Sequence, residues 1–163
     1  FVTNEVLWTI NKVAEEYFAA FGENILINTI SQRMGGPIIN PDTNRPRNDT
    51  HQNGLDVDVQ VPLDPNETVD IPKTYALIAS WIAKNRVEKI LVGFRLKQKL
   101  CEHSKKINKP IDPLHFRIKE FKGHETHIHV QHICPENSED YCVPAKGRIT
   151  GNTCDNGVTF VDT

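Results

Sequence analysis

Leu55-Asp56-Val57-Asp58-Val59-Gln60-Val61 alternates apolar and polar side chains without a break. Successive side chains of an extended strand point to opposite faces, so Leu55, Val57, Val59 and Val61 share one face while Asp56, Asp58 and Gln60 share the other. The pattern predicts a half-buried strand with an acidic open side. A second segment, His127-Ile128-His129-Val130-Gln131, repeats the alternation: Ile128 and Val130 bury, and His127, His129 and Gln131 face the other way. Two such strands side by side gather carboxylate and imidazole on one face. With His51 just before the first strand and His124 just before the second, the combination predicts a metal site.

The remaining segments read as helices and further strands around this pair. From Thr3 to Phe21 apolar residues recur at Val6, Leu7, Ile10, Val13, Ala14, Tyr17, Phe18 and Phe21. This is a helical stripe that Gly22 is placed to end. Ile25 to Ile30 is a short β-branched run that predicts a strand, and Arg33 to Pro37 breaks regular structure. Residues 40–53 are polar and rich in Pro, Asn and Asp, the composition of a long surface loop that delivers His51. Asp70-Ile71-Pro72 opens a second helix, with Tyr75, Ile78, Ala79 and Ile82 as its buried stripe up to about Arg86. Val87 to Phe94 predicts a strand and Arg95 to Ile107 a basic, solvated amphipathic helix, ended by Pro110 and Pro113. His115 to Phe121 alternates as a strand, Lys122-Gly123 can turn, and 126–131 returns, which predicts a hairpin carrying the histidines. Loops are expected past Cys134. Helices flanking a small, mostly antiparallel sheet make an α+β fold, with the zinc site on the open sheet face.

A chain of 163 residues that is 38% hydrophobic is sized for one domain across 1–163, with a loop-rich tail from about 132. Nineteen Lys and Arg against 21 Asp and Glu leave a formal charge of −2 with no long run of one sign. That balance argues against nucleic acid and against an anionic membrane surface as partners. No stretch approaches the roughly 18 to 20 apolar residues needed to span a bilayer. The sequence starts at Phe1, which fits removal of a signal peptide or anchor. Cys101, Cys134, Cys142 and Cys154 contain no Cys-x-x-Cys pair. An even number fits two disulfides stapling the Pro- and Gly-rich tail, the alternative being four reduced thiols.

Catalytic zinc sites commonly use three protein ligands drawn from His and Asp or Glu and leave a fourth position open. His51, an aspartate of the first strand and His129 make such a set for one zinc ion. Asp56 and Asp58 share a face, so spacing alone does not choose between them, and the one that is not a ligand can orient a ligand imidazole. His127 can take a proton from the activated water or donate to the tetrahedral oxyanion, and His124, across the turn, can serve the same anion. His132 falls on the Val130 face, as a structural histidine would, and His103 and His115 have no assigned role. A metal-dependent phosphodiesterase would want a cationic groove or a two-metal carboxylate cluster, and neither is visible.

His51-x(6)-Asp58 followed by His127-x-His129 resembles the zinc peptidase group that includes lysostaphin, the D-alanyl-D-alanine peptidases and the Hedgehog signalling domain. The longer strings from Thr50 to Asp58 and from Gly123 to Val130, then Cys134-Pro135, resemble the penicillin-insensitive murein endopeptidases. The resemblance covers about 31–142. It implies His51, Asp58 and His129 as zinc ligands, His127 as catalytic base and His124 as a second histidine at the metal water. It also implies hydrolysis of peptide cross-links in peptidoglycan, with a D,D-carboxypeptidase or a catalytically silent wall- or partner-binding zinc module as the alternatives. Cys134 with Cys142 and Cys101 with Cys154 match family disulfides, which implies a periplasmic or exported setting. Arg33 lies in a Ser-x-Arg-x-Gly-Gly string similar to the family's and can hold a substrate carboxylate through its forked donors. The chain departs from the family at Asn48, where a further histidine is common, within the long 40–53 loop.

Overall fold

The structure is a computed structural model that describes residues 2–30, 39–40, 42–46, 54–109 and 117–133. His51, Arg33, Asn48, His115, Cys134, Cys142, Cys154 and the expected loop-rich tail lie outside the described residues. The element order is α1 (Asn4–Phe21), β1 (Ile27–Thr29), β2 (Ile39–Asn40), β3 (Arg45–Pro46), β4 (Asp56–Gln60), α2 (Ile71–Ala83), β5 (Val87–Val92), α3 (Phe94–Lys106), β6 (Ile118–Glu120) and β7 (His127–His132). This is the expected α+β arrangement of three helices and a five-stranded, mostly antiparallel open sheet. None of the described helices is long and apolar enough to cross a membrane.

Each helix begins and ends where its sequence supplies the chemistry. Thr3 caps α1 by accepting from the Val6 amide, and Gly22 takes the left-handed conformation at φ 70° so that its N–H reaches the Phe18 carbonyl at 2.7 Å. Asp70 caps α2 by accepting from the Lys73 amide at 3.0 Å, with Pro72 in the first turn, where its missing N–H costs nothing. Lys84 of the α2 C-cap pairs with Glu16 and so ties α2 to α1. The third helix is less solvated than its composition predicts: Leu96, Lys97, Leu100, Cys101 and Ser104 form a buried stripe. Cys101 is disulfide-bonded, and its partner is outside the described residues.

The sheet order is β1-β4-β7-β5-β6. The two alternating strands are direct neighbours: β4 pairs antiparallel with β7, with Asp56 opposite Gln131, Asp58 opposite His129 and Gln60 opposite His127. The intervening residues Val57, Val59, Ile128 and Val130 are fully buried with Ile90, Val92 and Ile118 against Val6, Val13, Leu77, Ile78, Trp81 and Leu100 of the helices. The three helices therefore cover the apolar face and leave the Asp and His face on the other side. Because side chains alternate strictly, a slip of one residue between β4 and β7 would exchange the two faces. The valines and Ile128 hold that register.

Two expectations are corrected. The hairpin expected between the strand ending near Phe121 and the strand at 126–131 does not form. Instead β5 stands between them, pairing parallel with β6 and antiparallel with β7. Ile90 and Val92 of β5 are fully buried, which suits an interior place, whereas β6 is a three-residue edge strand. Lys122-Gly123 do turn, with Gly123 at φ 90°, but residues 121–126 cross the end of β5 and do not join two paired strands. The 40–53 stretch is also not wholly irregular, since β2 and β3 pair antiparallel across it, Asn44 supplying a positive φ of 49° in the turn.

Candidate functional site

Register alone builds a row across the face away from the helices, which is less open than its alternation predicts, since Asp56, Lys119, His129 and Gln131 are buried on it. Direct pairing sets Thr29 beside Asp58, Asp58 beside His129, His129 beside Leu91 and Leu91 beside Lys119. Residues directly opposite one another share a face, so a carboxylate, an imidazole and an ammonium stand on one side of the sheet within four strands of each other.

His129 is the centre of this row. Its side chain is 4% exposed and both ring nitrogens face carboxylates: Nε2 lies 2.9 Å from Asp56 Oδ1, and Nδ1 lies 3.0 Å from Asp58 Oδ1. Burial by itself disfavours charge on the ring, but the hydrogen bonds to Asp56 and Asp58 outweigh it and push the pKa up to about 9. A neutral imidazole has one N–H and one lone pair. With one carboxylate on each nitrogen, a neutral ring would direct its lone pair at a carboxylate oxygen. Electrostatics therefore calls for a cation between the ring and one of the two acids, either a proton or a metal ion.

The separation suits a metal. Ligand atoms about 2.0–2.2 Å from a tetrahedral zinc stand roughly 3.3 Å apart, close to the 3.0 Å between His129 Nδ1 and Asp58 Oδ1. His127 Nε2 lies 4.0 Å from the same Asp58 oxygen, within reach of anything held there. His124 completes the cluster, its ring centroid 4.7 Å from that of His127 and 5.7 Å from that of His129. Burial, and after it the neighbouring His127 and His129, push the His124 pKa down to about 4, so this imidazole is neutral at neutral pH.

The structure brings together Asp58, His124, His127 and His129 of the expected site residues, while His51 and Arg33 fall outside the described residues. Among the described residues, no three His, Cys, Asp or Glu side chains converge as a metal-holding group. The donor set nevertheless fits one, with two ligand atoms at metal spacing and His51 seven residues before Asp58 in sequence. His132, expected to be structural, is buried, donates from Nδ1 to the Leu55 carbonyl at 2.7 Å and meets the edge of Trp81.

Three residues near the site carried no functional assignment in the sequence. Lys119 is 6% exposed on the Asp58 and His129 face, and burial lowers its pKa. Gly93 donates its N–H to the His124 carbonyl at 2.6 Å. Glu125, adjacent to His124, lays its carboxylate against Gly93 so closely that a Cβ there would overlap it. The one available signal for Glu125 was a charged residue between two site histidines in a connection.

No curated protein matches the chain. The family model of the penicillin-insensitive murein endopeptidases matches residues 64–162. That span includes His124, His127 and His129 and begins after Asp58, so the aspartate joins the histidines through the β4–β7 register. The family implies peptidoglycan as substrate and a metal for its hydrolysis. On the match over most of its length, the chain belongs to the penicillin-insensitive murein endopeptidase family.

Proposed function

We propose that the protein is a zinc-dependent peptidoglycan endopeptidase that cleaves amide bonds in stem-peptide cross-links. One zinc ion is held by His51, Asp58 and His129 on the open face of the sheet. The observation that carries this reading is the pair of 3.0 Å and 4.0 Å approaches of His129 Nδ1 and His127 Nε2 to the single oxygen Asp58 Oδ1. When bound, the ion supplies Lewis acidity, activating water at neutral pH and polarising the scissile carbonyl.

The chain's own residues do the rest. His127, a quarter exposed and beside Asp58, takes the proton of the attacking water and returns it to the leaving amine. His124, neutral and half-buried, offers a ring N–H to the oxygen that gains charge as the carbonyl becomes tetrahedral. Arg33 holds a carboxylate of the stem peptide as a forked donor. Peptidoglycan as substrate and the family's disulfide pattern support a periplasmic or exported location.

The test is His127→Ala. The variant should bind zinc as the wild type does and release no monomers from cross-linked muropeptide dimers. Undiminished release would refute the role of His127.

A further inference from the structure

The two carboxylates that flank His129 are not equivalent, and the difference assigns them separate roles. This inference rests on the zinc reading proposed above. Asp56 is sealed, its side chain 1% exposed, and its Oδ1 stands 2.9 Å from His129 Nε2. Asp58 is 16% exposed, and its Oδ1 faces Nδ1. On the Asp58 side stand His127 and, stacked at a tilt on His127, His124. Among the described residues, Asp58 is the carboxylate of the pair with surface to offer a ligand.

We propose that Asp56 is a positioning residue of the metal centre: its carboxylate accepts the Nε2–H of His129, fixes that tautomer and turns the Nδ1 lone pair towards Asp58 and the ion. An imidazole ligand free to flip would present either nitrogen, and a rotation would carry the donor atom away from Asp58. Asp56 removes that freedom. It also places a negative charge behind the ring, which makes the ligating nitrogen a stronger donor. The register provides both contacts. His129 lies directly opposite Asp58, while Asp56 sits opposite Gln131 and reaches the far nitrogen along the diagonal. The repeated aspartate of Leu55-Asp56-Val57-Asp58 is thereby explained: one carboxylate binds and the next one aims.

The experiment measures zinc affinity of the full chain by competition with a chromophoric chelator for wild type, Asp56→Ala, Asp56→Asn and Asp58→Ala. Alongside it, 15N NMR of the zinc-loaded wild type reads which nitrogen of His129 carries the proton. The expected result is that Asp56→Ala weakens zinc about 10- to 100-fold. Asp56→Asn, which keeps an acceptor oxygen, should recover most of that loss, and Asp58→Ala should lose far more. In wild type, Nε2 should be protonated and Nδ1 metal-bound, a readout that stands even if a variant fails to fold. Zinc on Nε2, an Asp56→Ala affinity equal to wild type, or equal losses from Asp56→Ala and Asp58→Ala would each overturn the assignment while leaving the zinc reading intact. Failure of the wild type to take up zinc would overturn the underlying reading and the assignment with it.

Discussion

The carboxylate of Glu125 lies directly over the Cα of Gly93, the residue that caps the N-terminal end of α3. Gly93 has no side chain to cap the helix, and the Glu125 carboxylate fills the space that a Cβ at this N-cap would take. Since Gly93 also donates to the His124 carbonyl, the same residue anchors the segment that carries a site histidine. Gly93→Ala puts a methyl group into the carboxylate's seat, and Glu125, the flexible partner, swings out. The expected result is a folded protein with turnover reduced roughly ten-fold, as displacement of a positioned group produces. Because Gly93→Ala and Glu125→Ala break the same contact, the double variant should be no slower than the worse single one. Initial rates of muropeptide cleavage for the four proteins check this.

His127 is the group nearest Asp58 that has room to exchange protons. Its replacement by Gln should lower kcat by about 10²- to 10⁴-fold, the usual range for a lost general acid–base, with KM nearly unchanged. A rise in KM at constant kcat would move His127 from proton transfer to substrate binding.

The metal-free protein should have a stability maximum near pH 6.5. Burial pushes His124 down to about 4 and also lowers His132, so their contributions grow as pH rises towards the ordinary value of 6.5. His129 behaves in the opposite sense. With a folded pKa of about 9, its contribution is complete below pH 6.5 and is lost as pH rises through 9. The shift corresponds to on the order of 3 kcal/mol. Burial also pushes Lys97 down to about 8, which adds stability as pH rises above that point, so the decline is cleanest between 6.5 and 8. Urea midpoints of the chelated protein across this range should fall, and His129→Gln should flatten the fall.

Ile128 holds the two site histidines in register from the buried side of β7. Ile128→Ala should cost about 2–5 kcal/mol and Ile128→Val about 0.5–1.5 kcal/mol. Chemical denaturation measures both. A loss below 0.5 kcal/mol for the alanine variant would mean that this part of the core is not close-packed.

Much of the site was legible because a strand period of two is a strong local signal. Leu55 to Val61 and His127 to Gln131 each declare one apolar and one polar face, and the structure keeps Asp58 and His129 on the same polar face, although Asp56, His129 and Gln131 are themselves buried there. Thr3, Gly22 and Asp70 mark helix ends for equally local reasons. Neighbour order was not legible. Alternation states which face a residue occupies and not which strand lies beside it, so β6 and β7 read as a hairpin although β5 separates them. The contact between Gly93 and Glu125 and the diagonal reach of Asp56 depend on that order, and neither has a local signature.

Amide hydrolysis by this protein is proposed to depend on one metal ion at Asp58 and His129. Mass spectrometry of purified cross-linked muropeptide dimers, incubated with chelated protein and with protein restored by one equivalent of zinc, tests it most directly. Intact dimers are expected in the first sample and monomers cleaved at the cross-link in the second. Equal cleavage in both, or none in either once zinc is bound, would contradict it.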